Sequence, residues 1–293
     1  MSFSIVTDTS ANLPRQLIEQ HQLTVIPFSY FVDHQEHTCI APEDYDGQAY
    51  FASLAKGLQV TTSLVPPQRY IDHLEPLLAQ GQDILLVSMS SGISGSFDSA
   101  QSAAAQLRQK YPARSIRLVD SMGASLGEGL LALAAVEDRA AGKSLEETAV
   151  HLLTMRDQMC QIFMVDDLAN LRRTGRISGV VAVLGSVLHI KPLLKGNERG
   201  QIVMWSKVRG RKAAINCLVQ RYRELVRNPQ AQCVGIAYAG CPEDAKLLAQ
   251  QLRAEQPPRD ILTVCYEPVT GSHVGNGTLA LFFLGPDGAR TLI

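Results

Sequence analysis

The order of apolar runs constrains the fold of this chain more than any other feature. Phe3–Thr7, Ile84–Ser88, Ile116–Val119, Gln161–Val165, Cys233–Ala239, Ile261–Tyr266 and Leu279–Leu284 are short and rich in aliphatic residues, and most are separated by longer stretches of helical pattern. Strands alternating with helices predict an α/β protein built on a mainly parallel sheet. Ile84–Ser88 is apolar along almost its whole length, as expected of a buried strand. Leu23–Val32 is also extended, but its Pro27 restricts it to an edge strand or a bulge. Helices are expected from Pro14 to about His21, over Asp44–Leu54, from Pro67 to Ala79, up to Gln109, and over Gly123–Ala141 and Leu145–Gln158.

Beyond residue 160 the rhythm changes. Ile190–Leu194 and Gln201–Ser206 read as antiparallel strands around the Gly196–Gly200 turn, after an apolar helix at Val180–Leu188. Helices at Arg211–Val226 and Pro242–Ala254 follow. The glycine-rich segment Pro268–Thr278 reads as a loop. A chain of 293 residues is too long for one compact core. Two α/β domains are therefore expected, 1–160 and 161–293. The first carries a mainly parallel sheet with helices on both faces, and the second is a smaller mixed-sheet domain.

Composition excludes several classes. The net charge of -1 gives no sign of a nucleic-acid binder. No apolar run reaches the ~20 residues of a membrane-spanning helix, and the first residues lack a basic segment followed by an apolar one. Six scattered cysteines without a C-x-x-C pair read as small buried hydrophobes. His34-x-x-His37-x-Cys39 has no second ligand pair nearby and reads as a solvated turn. A monomeric cytoplasmic protein is expected, with no cofactor, no metal, no nucleic-acid partner and no stable membrane insertion.

Four features could carry chemistry. Ser90-Ser91-Gly92-Ile93-Ser94-Gly95-Ser96 follows a strand and opens a helix, a place where backbone N–H groups suit an anion. It approaches the G-x-S-x-G elbow of hydrolases but has Ser96 where the last glycine belongs. Thr61-Thr62-Ser63 is a second hydroxyl cluster, at a loop-to-helix junction. His273 lies among Gly271, Gly275 and Gly277, an unusual setting for a core residue. Residues 161–215 hold ten Lys/Arg against three Asp/Glu, concentrated at Arg172, Arg173, Arg176, Lys207, Arg209, Arg211 and Lys212. That stretch reads either as solvated helix ends or as a docking face for an acidic partner. No P-loop or dinucleotide fingerprint is present.

With these motifs in place, the sequence resembles the DegV family of bacterial fatty-acid-binding proteins along essentially its whole length. Val6-Thr7-Asp8-Thr9-Ser10-Ala11-Asn12-Leu13-Pro14 is similar to the family's opening, Thr61-Thr62-Ser63 to its T-T-S-Q-P segment, and Ser90–Ser96 to its S-S-G-x-S-G-[ST] turn. Val119-Asp120-Ser121, Leu171–Gly179, Ile190-Lys191-Pro192 and the Gly271–Phe283 ending also match. The sequence departs at Leu64, where Gln is usual, and at Ala280, where Gly is usual.

The resemblance implies one long-chain fatty acid in a tunnel between the domains. Its carboxylate would be held by Ser63 and Ser94, with Thr62, His273 and Gly95 completing the polar end. It further implies a non-catalytic subunit that presents the carboxylate to an ATP-dependent fatty acid kinase and carries the acyl phosphate, with Arg209 acting at the partner step. The alternative is an acyl hydrolase using Ser94 and His273, which would need a third group to orient the histidine.

Overall fold

The computed structural model describes residues 3–178 and 189–293. The apolar helix expected over Val180–Leu188 lies outside the described residues.

The first half opens with β1 (Phe3–Asp8), α1 (Arg15–Gln20) and β2 (Thr24–Ile26), followed by β3 (Ser29–Val32), β4 (Gln35–Thr38), α2 (Gly47–Ala55) and β5 (Val60–Thr62). Next come α3 (Pro67–Ala79), β6 (Asp83–Ser88), α4 (Ser96–Lys110), β7 (Ile116–Asp120), α5 (Leu126–Ala140) and α6 (Leu145–Gln158). Strands β2-β1-β6-β7 form a sheet in that order, parallel throughout. β1 and β6 are its central strands, and the side chains of Ile84 to Val87 are fully buried.

Pro27 breaks the extended run expected over Leu23–Val32. The chain leaves the parallel sheet after its edge strand β2 and enters a separate antiparallel sheet of order β4-β3-β5. The segment read as a solvated His34–Cys39 turn is the second arm of this hairpin. Asp33 and His34 both take positive φ (48° and 65°), the signature of a two-residue type I′ turn. The His37 ring stacks on Tyr30.

The second half continues with β8 (Met159–Met164), α7 (Ala169–Arg173), β9 (Ile190–Gly196), β10 (Ile202–Arg209), α8 (Arg211–Leu225), β11 (Cys233–Tyr238) and α9 (Pro242–Glu255). It ends with β12 (Asp260–Cys265), α10 (Pro268–Val274), β13 (Leu279–Leu284) and α11 (Ala289–Leu292). Among the described residues, six strands form a mixed sheet in the order β10-β9-β8-β13-β11-β12, in which β11 and β12 pair in parallel and the other neighbours are antiparallel. The loop expected over Pro268–Thr278 is in part the helix α10. The Glu267 side chain accepts hydrogen bonds from the backbone N–H groups of Val269 and Thr270, Pro268 fills the first helical position, and Gly275 at φ 82° ends the helix.

Strand alternation sorts the side chains into three cores. Ile84 and Leu86 of β6 pack with Tyr70 and Leu74 of α3 and with Ala100, Ala103 and Ala104 of α4. On the other face, Leu85 and Val87 join α5, α6 and one face of the second sheet, including Phe163, Leu194, Ala237, Ala280 and Phe282. The opposite face of that sheet, through Ile162, Met164, Leu281 and Phe283, packs on α8 and α9. The molecule is therefore layered as helices, sheet, helices, sheet, helices, with α5 in the middle contacting both sheets. Among the described residues, no helix is long and apolar enough to cross a membrane.

Candidate functional site

The loops after β6 and β7 leave the C-terminal ends of parallel strands, where open α/β sheets place their ligands. Here they meet β5, α10 and the inner face of the second sheet around a cavity with about 840 Å³ of space free of atoms, its open mouth included. Its walls are largely apolar, among them Phe28, Met89, Ile93, Phe163, Ile202 and Phe282.

Thr62, Ser63, Ser94 and His273 all line this cavity, although they lie as much as 211 residues apart in sequence. Thr62 Oγ1 and His273 Nε2 are 2.9 Å apart. Ser94 Oγ lies 2.9 Å from Ser96 Oγ and accepts from the Ser96 N–H at 3.2 Å. Ser96 Oγ in turn accepts from the Val65 N–H at 3.1 Å, which ties the Thr61–Ser63 segment to the Ser90–Ser96 turn. Gly95 is outside the lining. It precedes α4, and a Cβ there would touch Leu64 Cδ2 at 3.2 Å.

The Ser90–Ser96 turn offers fewer free amides than its sequence promises. The N–H groups of Ile93 and Ser94 go to the Ser90 carbonyl, that of Gly92 to Ser90 Oγ, and that of Ser91 to Asp120. Ser90 Oγ also donates to the Gly200 carbonyl at 2.8 Å, so the turn is pinned to the β9–β10 hairpin. Gly92 is required by this approach, since a Cβ would collide with the Arg199 carbonyl.

His273 is mostly buried, and burial, with the nearby Arg176 and Arg173, pushes its pKa down to about 4. The imidazole is therefore neutral at neutral pH and acts by hydrogen bonding. Its Nδ1 has no partner among the described residues. A hydrolytic triad does not assemble: the histidine bonds Thr62, Ser94 bonds Ser96, and no carboxylate orients the ring among the described residues.

Arg176 also lines the cavity. The sequence marks it only as part of a basic stretch, yet it brings a cation to a polar end that hydroxyls and one histidine were expected to serve alone. Other members of that stretch behave differently. Arg211 is tied to Asp166 and Asp244, and Lys191 to Asp166, so these charges are locally neutralised. Arg209 is exposed at the end of β10 and is not part of the lining.

Three buried carboxyl groups lie beneath the site, and of these only Asp8, in the Val6–Pro14 opening, stood in a motif of the sequence. Asp8 accepts from Ser10 N–H, Ser88 Oγ and Met89 N–H, clamping the end of β1 to the start of the Ser90–Ser96 loop. Glu128 accepts from Thr7 and Ser10 hydroxyls. Burial raises the pKa of both, with Asp8 adding to the effect at Glu128. Glu267 is pushed up to about 7 by burial, against the bonds it accepts from Thr270 and Val269. Motifs could have exposed only Asp8. Glu128 and Glu267 become visible when distant segments pack. Among the described residues, no group of three or more His, Cys, Asp or Glu stands close enough to hold a metal ion.

A family model described as "Uncharacterised protein, DegV family" matches residues 2–285. A DegV domain-containing protein of Clostridium perfringens is 36% identical over 283 residues, covering 97% of each chain. Among solved structures, a DegV family protein from Thermus thermophilus, reported for fatty acid binding, superposes with a TM-score of 0.87 at 27% identity, covering 98% of this chain and 100% of its own. A DegV-family protein of Ruminococcus gnavus, described with vaccenic acid, has a TM-score of 0.84 at 22% identity, over 96% of this chain and 99% of its own, a likeness of fold. With the family model spanning nearly the whole chain and relatives above 30% identity, the chain belongs to the DegV family.

Proposed function

We propose that this chain binds one long-chain fatty acid between its two units, residues 1–160 and 161–293, and that it is a carrier without a catalytic centre of its own. The observation that carries the reading is the convergence of Thr62, Ser63, Ser94 and His273 in the lining of one largely apolar cavity. A buried carboxylate must be hydrogen-bonded, and three hydroxyls with a neutral imidazole suit it, while Arg176 supplies positive charge nearby. Each buried methylene is worth ~0.8 kcal/mol, so a sixteen-carbon tail gains on the order of 10 kcal/mol before ordering costs. The Thermus relative, reported for fatty acid binding, supports the same ligand class.

The finer part of the proposal concerns what happens to the carboxylate. The chain presents it to an ATP-dependent fatty acid kinase, which transfers the terminal phosphoryl group of ATP to the carboxylate oxygen. ADP leaves, and the acyl phosphate stays with the carrier. Arg209, exposed and outside the lining, is assigned to the partner step.

Organic extraction of the purified protein followed by mass spectrometry tests the core of the reading. The expected result is a long-chain fatty acid at near one per chain. Protein that extracts clean, and takes up neither palmitate nor oleate after delipidation, overturns it.

A further inference from the structure

The bond between Thr62 and His273 joins β5 to α10, and what fixes α10 in place comes from the first half of the chain. Tyr266, Glu267 and Pro268 bring the chain into α10, and each is held by a side chain from that half. The Tyr45 hydroxyl donates to the Tyr266 carbonyl. The Glu267 N–H donates to Asn12 Oδ1 at 2.9 Å, and the Tyr50 hydroxyl donates to the Pro268 carbonyl at 2.9 Å. Further along the helix, Gly271 lies so close to Phe51 that a Cβ would stand 2.7 Å from Cζ. Val269 packs into the core between the first sheet and helices α3 and α4.

Tyr50 is the member of this set that reaches both partners of the Thr62–His273 bond. Its hydroxyl holds the first residue of the helix that carries His273. Its ring meets Tyr30 edge to face at 6.3 Å, and Tyr30 is the residue of β3 that pairs with Thr62 of β5. The same ring meets Tyr45 and Phe51 edge-on at 5.5 and 5.3 Å. Edge-to-face contacts have a specific geometry, so the cluster sets where the strand and the helix stand. A hydrogen bond between side chains of two such elements tolerates little displacement of either. Tyr50 itself does not line the cavity.

We propose that Tyr50 is a positioning residue, which holds α10 against β5 so that His273 and Thr62 meet the ligand as a bonded pair. The effect on binding rests on the carrier reading above; the positioning does not. Two measurements on wild type, Tyr50→Phe and Tyr50→Ala test it: palmitate affinity after delipidation, and titration of the His273 ring by NMR in ligand-free protein. Tyr50→Ala should bind palmitate about tenfold more weakly, the size of one hydrogen bond lost at the head group, with Tyr50→Phe in between because it keeps the ring. Released from its buried place, the His273 ring should titrate closer to the ordinary 6.5 in Tyr50→Ala than to about 4. An unchanged His273 titration in folded Tyr50→Ala overturns the inference, even if that variant melts at a lower temperature, since stability would then be lost without loss of position. Should Tyr50→Ala unfold, Tyr50→Phe decides: its His273 ring signals should shift from those of wild type, and identical signals overturn the inference. Failure of wild type to bind palmitate overturns the carrier reading and leaves the titration to decide the positioning of His273.

Discussion

Ser63, Ser94, Thr62 and His273 are ordinary residues that the fold brings to the lining of one cavity. Ser63→Ala and Ser94→Ala should each weaken fatty acid binding by about 1–3 kcal/mol, the cost of leaving a buried carboxylate short of one donor. His273→Ala should do the same and, with a kinase present, slow acyl phosphate formation further. Isothermal titration with palmitate measures the first effect, and unchanged affinity in all three variants would place the head group elsewhere. The protonation state of His273 is a separate matter. Its folded pKa of about 4 lies below its ordinary 6.5, so the neutral ring contributes stability above about pH 6.5. That contribution is lost as pH falls through about 4. In ligand-free protein, the ring protons of His273 should therefore show no titration step near pH 6.5 by NMR, whereas an ordinary exposed histidine would.

At the scale of elements, α10 shows how a short helix can carry a site. It has only seven residues and two internal or terminal glycines, and it is held by the Glu267 cap and by packing against α7 and α2. Glu267 titrates at about 7 when folded, against an ordinary 4.5, so the folded chain holds this proton more tightly. Its contribution to stability is therefore full below about pH 4.5 and lost as pH rises through about 7. Denaturant melts of wild type and Glu267→Gln across that range should show wild type losing stability relative to the variant as pH rises. A parallel pair of curves would mean that Glu267 ionises normally. α5 poses a different question. Expected only as a helix within the first domain, it packs in the structure against both sheets.

On the scale of the whole molecule, the cavity belongs to neither half. One wall comes from the loops of the parallel sheet and the other from the mixed sheet, joined by the continuous core around α5. Binding and presentation can then be assigned to different surfaces. Arg209→Ala should bind palmitate as wild type does but support slower acyl phosphate formation with the cognate kinase. Loss of palmitate affinity alone would show that the two roles are not separate.

The sequence by itself determined the alternation of strands and helices, because periodicity and burial are local properties of the chain. Phe3–Thr7, Ile84–Ser88 and Leu279–Leu284 needed only their own apolar runs to be read as strands. It also showed Thr62 and Ser63 in a hydroxyl cluster and Ser94 and His273 beside glycines, while the resemblance to a family, and no local pattern, suggested that these four act together. It misread α10 as a loop, since the glycines outweigh a cap made by Glu267. It missed the β3–β4 hairpin, whose Asp33-His34 turn needs two positive φ angles that neither residue announces. What only the tertiary structure decided is which residues meet. Gly95 fell outside the cavity while Arg176 and Gln161 fell inside it, and Asp8, Glu128 and Glu267 were buried together beneath it. Those outcomes depend on how two sheets pack around one helix, and that packing is a property of contacts between distant segments, which no local pattern encodes.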